Sequence, residues 1–401
     1  MKILVLTQYY PPETGAPQNR LSSLAKFLVQ LGDEVEVLTA MPNYPKMQVF
    51  ESYRNKFYCK ETVENITVHR SWIYAKNSKG IVARLLNYFS FVFTSFFIGI
   101  LKLKKFDLII CESPPLFLGI TAVWMKWIRG SKLCFNVSDL WPESAEKLGI
   151  VTNKKMLAAA TWLEHWCYRN SDFISGQTQG ICKNISDRFP NKKIFWWRNG
   201  FDFSQYLAVE TSSFRKANNI TEEKFVVMYA GVIGYAQGLE VIIKAANILQ
   251  DVQFVLVGDG PEKENLKALV AELSLKNVLF IPNTPKKEIP AIVAACNAYI
   301  VPLKKLDLFL GAIPSKIFEP LALGCPVIMG VDGEAKEIFV EEGKCVLHFE
   351  PENAEQLAKR IAELKKDTGL LQSLKTNATK FVKQKFDREI IAKEFYEFLR
   401  K

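Results

Sequence analysis

Phe225-Val226-Val227-Met228-Tyr229-Ala230 is an uncharged, apolar run that ends in Gly231-Val232-Ile233-Gly234. A strand with one wet face alternates apolar and polar residues. An unbroken apolar run instead fits a strand buried on both faces, as in a parallel sheet covered by helices. The same reading extends outward to Gln253–Val257, which runs into Gly258-Asp259-Gly260-Pro261, and to Val278–Ile281, Ala298–Val301 and Val327–Met329. In the first half it finds Ile3–Leu6, Val35–Thr39, Thr67–Ser71, Leu108–Cys111, Leu133–Val137 and Phe173–Gly176. Longer helical patterns separate these runs, so the expectation is two α/β domains, each a doubly wound parallel sheet.

A chain of 401 residues also exceeds what one hydrophobic core supports. The boundary is expected between Asn199 and Glu223, giving an N-terminal domain over 1–200 and a C-terminal one over 201–385. Residues 386–401 carry Ile390, Ile391, Phe395, Phe398 and Leu399 at helical spacing, a terminal helix able to pack back toward the N-terminal domain.

The net charge of +10 suggests an anionic partner, but the lysines are spread along the chain and no nucleic-acid module is visible. Nucleic acid is therefore not expected as a partner. The eight cysteines form no CxxC pair and several lie in apolar runs, which implies reduced thiols and a cytoplasmic location. The chain opens directly on a strand, so no signal peptide is expected. His69, His165 and His348 are isolated from one another in sequence, so neither a metal site nor a cofactor is expected.

Ligands of open parallel sheets bind beyond the carboxyl ends of the strands, and with two such sheets the natural site is a cleft between them. Loops after strands therefore matter most. Leu310-Gly311-Ala312-Ile313-Pro314-Ser315-Lys316 leads into a helical segment that closes with Gly324-Cys325-Pro326. A helix start of this kind suits a diphosphate, and Lys316 adds a cation where the helix dipole alone would disfavour one. Glu319 reads two ways: as a first-turn acid complementing the dipole, or as a carboxylate accepting bonds from ribose hydroxyls. Gly231, Gly234 and Gly258 each allow close backbone approach at a strand end. In the first half, Gly15 follows strand one, Asn43 lies in Met41-Pro42-Asn43-Tyr44-Pro45 after strand two, and Asp139 and Glu143 follow strand five. Asp139 and Glu143 could bind an acceptor or serve as a general base, or they could simply cap the next helix.

Pro314-Ser315-Lys316-Ile317-Phe318-Glu319 with Gly324-Cys325-Pro326-Val327-Ile328 resembles the donor-site signature of retaining glycosyltransferase family 4, which has the GT-B fold of two Rossmann-like domains facing a central cleft. Gly258-Asp259-Gly260-Pro261 and Asn199-Gly200-Phe201-Asp202 resemble further landmarks of that family. Tyr9–Glu13, Pro42–Pro45, Ser113–Phe117 and Asp139–Ser144 are similar to a fucosamine-transferase-like branch that builds bacterial surface polysaccharides. The resemblance implies a UDP-sugar donor held by Ile313, Pro314, Ser315, Lys316 and Glu319 with the glycines. It also implies a retaining, metal-independent transfer of an N-acetylated hexosamine, in which the leaving phosphate helps deprotonate the acceptor and Lys316 stabilises its charge. Asn43, Asp139 and Glu143 would meet a polyprenyl-diphosphate-linked saccharide, and Asp139 would share in catalysis. The sequence departs from the family at Gly311, Val232 and Gln237, where a Glu, an Arg and a Lys are common; Tyr235 also replaces a frequent Arg. A UDP-sugar epimerase of the same fold and a catalytically silent nucleotide- or partner-binding relative remain the alternatives.

Between Arg84 and Lys102 lie 17 uncharged residues. As a helix they span about 25 Å, short of the ~30 Å hydrocarbon core. The segment also joins two strands of one sheet, which must lie on the same side of any membrane. The expectation is an apolar helix over 85–103 that exposes Phe89, Phe93, Phe96 and Phe97 to a membrane interface, with a buried crossover helix as the alternative. Lys102, Lys104 and Lys105 follow at once, then Lys126, Arg129 and Lys132, as binding to an anionic membrane surface requires. The protein would then sit peripherally on the inner face of the cytoplasmic membrane.

Overall fold

A computed structural model describes residues 1–13, 15–76, 81–147, 151–203, 212–285 and 288–401. The chain forms two compact units: Met1–Asn199 with Arg388–Lys401, and Gly200–Asp387.

The first unit is built on eight strands: β1 (Lys2–Leu6), β2 (Glu34–Ala40), β3 (Tyr58–Val63), β4 (Ile66–Ser71), β5 (Leu108–Ser113), β6 (Lys132–Val137), β7 (Phe173–Gly176) and β8 (Lys193–Trp196). Their order is β3-β4-β2-β1-β5-β6-β7-β8, parallel throughout except for β3. Val5 sits between Val37 and Ile110 in the register, so the most apolar strand lies mid-sheet. One face is covered by the helices Ile81–Leu101, Leu118–Arg129 and Lys154–Asn170 over Leu4, Leu6, Phe91, Ile109 and Phe135. The other face carries the helices Ala16–Gln30 and Arg388–Leu399 over Ile3, Val5, Val37 and Phe395. Trp197 stacks on Phe395 at 4.4 Å, and Arg198 pairs with Glu394 at 2.9 Å.

β3 is absent from the sequence reading. It forms a hairpin with β4 through Glu64 and Asn65, both at positive φ. Two left-handed residues in a two-residue loop are the turn that matches strand twist.

The second unit holds β9 (Phe225–Ala230), β10 (Val252–Val257), β11 (Val278–Ile281), β12 (Ala298–Pro302), β13 (Val327–Gly330) and β14 (Val346–His348). All pair in parallel in the order β11-β10-β9-β12-β13-β14. This is the order of dinucleotide-binding sheets, and it reverses between β9 and β12. Val226–Tyr229 are buried, as the unbroken apolar run requires.

Helix Ile81–Leu101 joins β4 to β5 and lies along their sheet, so it does not cross a membrane despite sufficient length and apolarity over Ala83–Leu101. Its polar stripe faces inward. Asn87 accepts from the Gln8 amide at 2.7 Å and donates to the Tyr74 carbonyl at 2.7 Å. Thr94 donates to the Trp72 carbonyl at 2.6 Å, and Ser90 accepts from the Tyr74 N–H at 2.8 Å. The stripe thus anchors the segment after β4. The opposite side exposes Phe89, Phe93 and Phe97, with Phe96 half-buried, so the wholly buried alternative does not hold.

Candidate functional site

In the second unit the candidate groups converge on the switch point between β9 and β12. Gly231 follows β9 with φ 141°, and a Cβ there would lie 3.0 Å from the Lys316 Nζ. Gly258, also at φ 141°, would place a Cβ 2.0 Å from the Gly231 carbonyl oxygen, so only glycine lets these two loops touch. The contact is fixed by backbone bonds from Gly231 N–H to the Val257 carbonyl (2.9 Å) and from Ile233 N–H to the Asp259 carbonyl (2.8 Å). Gly234 is buried and opens the turn Tyr235–Gln237.

Lys316 is positioned by β9 itself. Its ammonium donates to the Tyr229 hydroxyl at 2.5 Å and lies 4.3 Å from that ring's centroid, while Tyr229 donates to the Val232 carbonyl at 2.6 Å. Burial pushes the Lys316 pKa down to about 8 and raises that of the Tyr229 phenol. A desolvated ammonium at a strand end gains from meeting an anion, because the anion replaces its lost hydration. Ile313 and Pro314 are half-buried and Ser315 is exposed beside it.

The helix-dipole argument weakens here. Ser315–Ile317 is a single 3-10 turn, and the α-helix after it, Phe318–Ala322, has five residues. So short a segment sums little dipole, which leaves the charge of Lys316 as the main electrostatic feature. Glu319 is half-buried on that helix. After burial, its charge is among the factors that raise the pKa of Tyr299, whose hydroxyl donates to the Ala230 carbonyl at 2.9 Å.

Two lysines missed by the sequence reading join this end of the sheet. Lys263 Nζ donates to the Gly258 carbonyl at 3.1 Å. Lys304, in the loop after β12, reaches across to the loop that carries Val232 and Gln237. Its N–H donates to the Ala236 carbonyl at 3.0 Å, Gly238 at φ 58° packs against its stem, and its Nζ lies 3.3 Å from the Tyr235 ring centroid. Among the described residues no carboxylate pairs with Lys304.

In the first unit Gly15 begins the helix Ala16–Gln30 with extended backbone and no side-chain cap. Asn43 is only 1% exposed; its amide donates to the Met41 carbonyl at 2.9 Å and its N–H to Glu13 at 2.8 Å. Asn43 therefore faces inward. Glu13 also accepts from the N–H groups of Tyr44 (2.7 Å) and Tyr10 (3.2 Å), tying the loops after β1 and β2 together. Burial raises its pKa against these three bonds. Asp139 is exposed and accepts from the Ser144 hydroxyl, while half-buried Glu143 begins the helix Glu143–Lys147. A cavity of about 290 Å³ opens at the carboxyl ends of β2 and β4, lined by Gln48, Tyr53, Arg54, Lys56, Trp72 and Tyr74 among others. Aromatic walls with two cations suit a sugar bearing phosphate. Among the described residues no group of three or more His, Cys, Asp and Glu side chains is placed to hold a metal ion.

Residues 15–199 match the model of the glycosyl transferase 4-like domain, and residues 210–381 match glycosyl transferases group 1. The chain is 27% identical, over the full length of both proteins, to the colanic acid biosynthesis glycosyl transferase WcaI of Escherichia coli K12. It is 25% identical to the lipopolysaccharide core biosynthesis glycosyltransferase LpsE of Rhizobium meliloti, covering 58% of this chain and 65% of that one. Among solved structures, Anabaena Alr3699/HepE in complex with UDP superposes with a TM-score of 0.73 at 20% identity, covering all of both chains. With a 4-like domain followed by a group 1 domain, each on a parallel α/β sheet, the chain belongs to the GT-B glycosyltransferases.

Proposed function

We propose that the chain transfers a sugar, an N-acetylated hexosamine, from a UDP-linked donor to a polyprenyl-diphosphate-linked saccharide during assembly of a bacterial surface polysaccharide. The observation that carries this reading is the half-buried Lys316 ammonium, held by Tyr229 against Gly231 at the switch point of the second unit. Its charge stabilises the departing diphosphate, and Glu319 takes the ribose. The anomeric configuration is retained without a metal. Asp139 and the cavity beside Trp72 serve the acceptor, and the exposed Phe face of Ile81–Leu101 holds the protein on the cytoplasmic side of the membrane. The bound UDP of HepE and the polysaccharide roles in the names of WcaI and LpsE support the donor class and the pathway class. The hexosamine rests on the branch resemblance alone.

Incubation with a panel of UDP-sugars and a polyprenyl-diphosphate-linked saccharide should give a glycosylated lipid with retained anomeric configuration, at a rate unchanged by a chelator. An epimerised donor, or UDP binding without turnover, would replace this reading with the epimerase or the silent relative.

Lys304 takes the place of the basic residues missing at Val232 and Gln237. A charge-assisted hydrogen bond is worth ~1.5–3 kcal/mol, so Lys304→Ala should weaken UDP binding by about tenfold or more in calorimetry. An unchanged affinity would show that this lysine does not face the diphosphate.

A further inference from the structure

The outer side of the first unit's helix layer is aromatic well beyond the Phe face of one helix. Helix Ile81–Leu101 packs on Leu118–Arg129, and Leu118–Arg129 on Lys154–Asn170. The first pair approaches closely because Gly99 lies against the Met125 sulfur, 2.6 Å from where a Cβ would stand. Across the second and third helices runs a row of rings: Trp124 to Trp127 at 5.5 Å, Trp127 to Trp166 at 5.7 Å, and Trp166 to Trp162 at 6.3 Å. Half of the chain's eight tryptophans are in this row. Trp124, Trp127 and Trp162 are exposed, Trp162 by 63%, as are Ile128 and Met156. They join Phe89, Phe93 and Phe97, of which Phe93 is 65% exposed. Placing these rings in water-facing positions serves no fold purpose, since the cores beneath them are already filled.

The charge on this layer is one-sided. Ile81–Leu101 and Leu118–Arg129 contain no acidic residue. Lys154–Asn170 contains Glu164 alone, which is buried and paired with Arg188 at 2.8 Å. Exposed Arg84, Lys102, Lys104, Lys105, Lys154 and Lys155 border the apolar area. Lys126 and Arg129 are engaged elsewhere: Lys126 pairs with Asp172 at 2.8 Å, and Arg129 donates to the carbonyls of Ile100 (2.6 Å) and Leu103 (3.0 Å).

We propose that the three helices together form a docking platform for an anionic lipid bilayer, with the tryptophan row at headgroup depth. Indole combines a large apolar ring with one N–H donor and so favours the membrane–water interface. A protein partner of ordinary composition presents both signs of charge, whereas three helices that carry no exposed acid of their own suit a uniformly negative surface. A second copy of the chain would set like charges against like across a twofold axis. The inference deepens the proposed function by widening its membrane contact from one helix to three, but it does not depend on the donor or the transfer chemistry.

The test is flotation of the full-length protein with phosphatidylcholine vesicles, with and without phosphatidylglycerol, together with tryptophan emission. The chain should float with the anionic vesicles and its emission shift to the blue. A Trp124→Ser, Trp127→Ser, Trp162→Ser variant should lose about tenfold or more of the bound fraction. Its UDP affinity, a property of the second unit, should stay unchanged. Lys102→Glu, Lys104→Glu, Lys105→Glu, which removes no apolar surface, should weaken binding only to the anionic vesicles. Wild-type flotation by the tryptophan variant alongside loss in Phe89→Ser, Phe93→Ser, Phe97→Ser would overturn the platform and leave the single-helix contact standing. A dimer dissolved by the tryptophan substitutions, with no flotation of the wild type, would assign the face to self-association. Normal flotation without sugar transfer would strike the proposed function and leave the platform intact.

Discussion

Replacing Lys316 by Ala is expected to lower sugar transfer by about 10²–10³-fold, the size of effect seen when one preorganised charge-stabilising group is removed. The substitution should not cost folding stability. A desolvated ammonium is itself expensive, and Tyr229 keeps its bond to the Val232 carbonyl when the lysine is gone. Loss of turnover with an unchanged or higher Tm therefore separates a chemical role from a structural one; near-wild-type turnover would remove Lys316 from the reaction. The pH dependence has a definite sign. With a pKa of about 8, Lys316 is charged below that pH and neutral above it, so UDP affinity should fall as pH rises through about 8. The stability of the ligand-free protein should move the other way. The unfolded lysine holds its proton to a higher pH, so folding gains as pH rises from about 8 toward the ordinary lysine range. The thermal shift produced by UDP should thus shrink above pH 8. In Lys316→Arg, whose guanidinium stays charged, that dependence should vanish whatever its turnover.

The buried strands were the most legible part of the chain because burial on both faces imprints an unbroken apolar run. Val226–Tyr229 shows this, and its run positions Gly231 at the strand end. β14, with three residues ending in His348, is too short for any period to register, and β3 escaped because an edge strand such as Tyr58-Cys59-Lys60-Glu61-Thr62-Val63 is half polar. The candidate donor loop stands out in the sequence at Pro314–Glu319, yet its helix is too short for the dipole expected of it. What supports Lys316 instead is Tyr229, 87 positions away. Lys304 was illegible for the same reason: its nearness to Tyr235 exists only because β9 and β12 are neighbours in the sheet. Asn87, Ser90 and Thr94 stand at helical spacing, but a polar stripe on a helix normally marks the wet face. Here the unpaired carbonyls and N–H groups of the segment after β4 turn it inward, and that leaves the phenylalanines outside. Asn43 looked like a ligand-facing amide, whereas its loop is cross-linked through Glu13.

Arg20→Ala should be the most destabilising single change in the first unit. Arg20 and Glu112 are both buried, one on the helix Ala16–Gln30 and the other at the end of β5, and they pair at 2.8 Å. The same guanidinium donates to Ser138 at 2.8 Å and to Asn199 at 2.8 Å, and it lies over the Trp197 ring at 5.0 Å. Glu112 also accepts from Ser138 at 2.5 Å and from Asn136 at 2.7 Å. Removing the cation leaves a carboxylate in the interior with two neutral donors, and breaking such a pair costs about 3–5 kcal/mol. Denaturant unfolding should therefore show an early transition in Arg20→Ala. Arg20→Met with Glu112→Gln should recover most of the loss, because no net charge is then buried. Arg20→Lys should recover little, since an ammonium cannot reach Glu112, Ser138 and Asn199 with one planar fork. The functional consequence runs through Ser138, which precedes Asp139. If the network holds that loop, transfer to the acceptor should weaken in Arg20→Lys while UDP affinity stays constant. Equal stability of Arg20→Ala and wild type would mean that water already screens the pair, and that Asp139 owes its position to Ser144 alone.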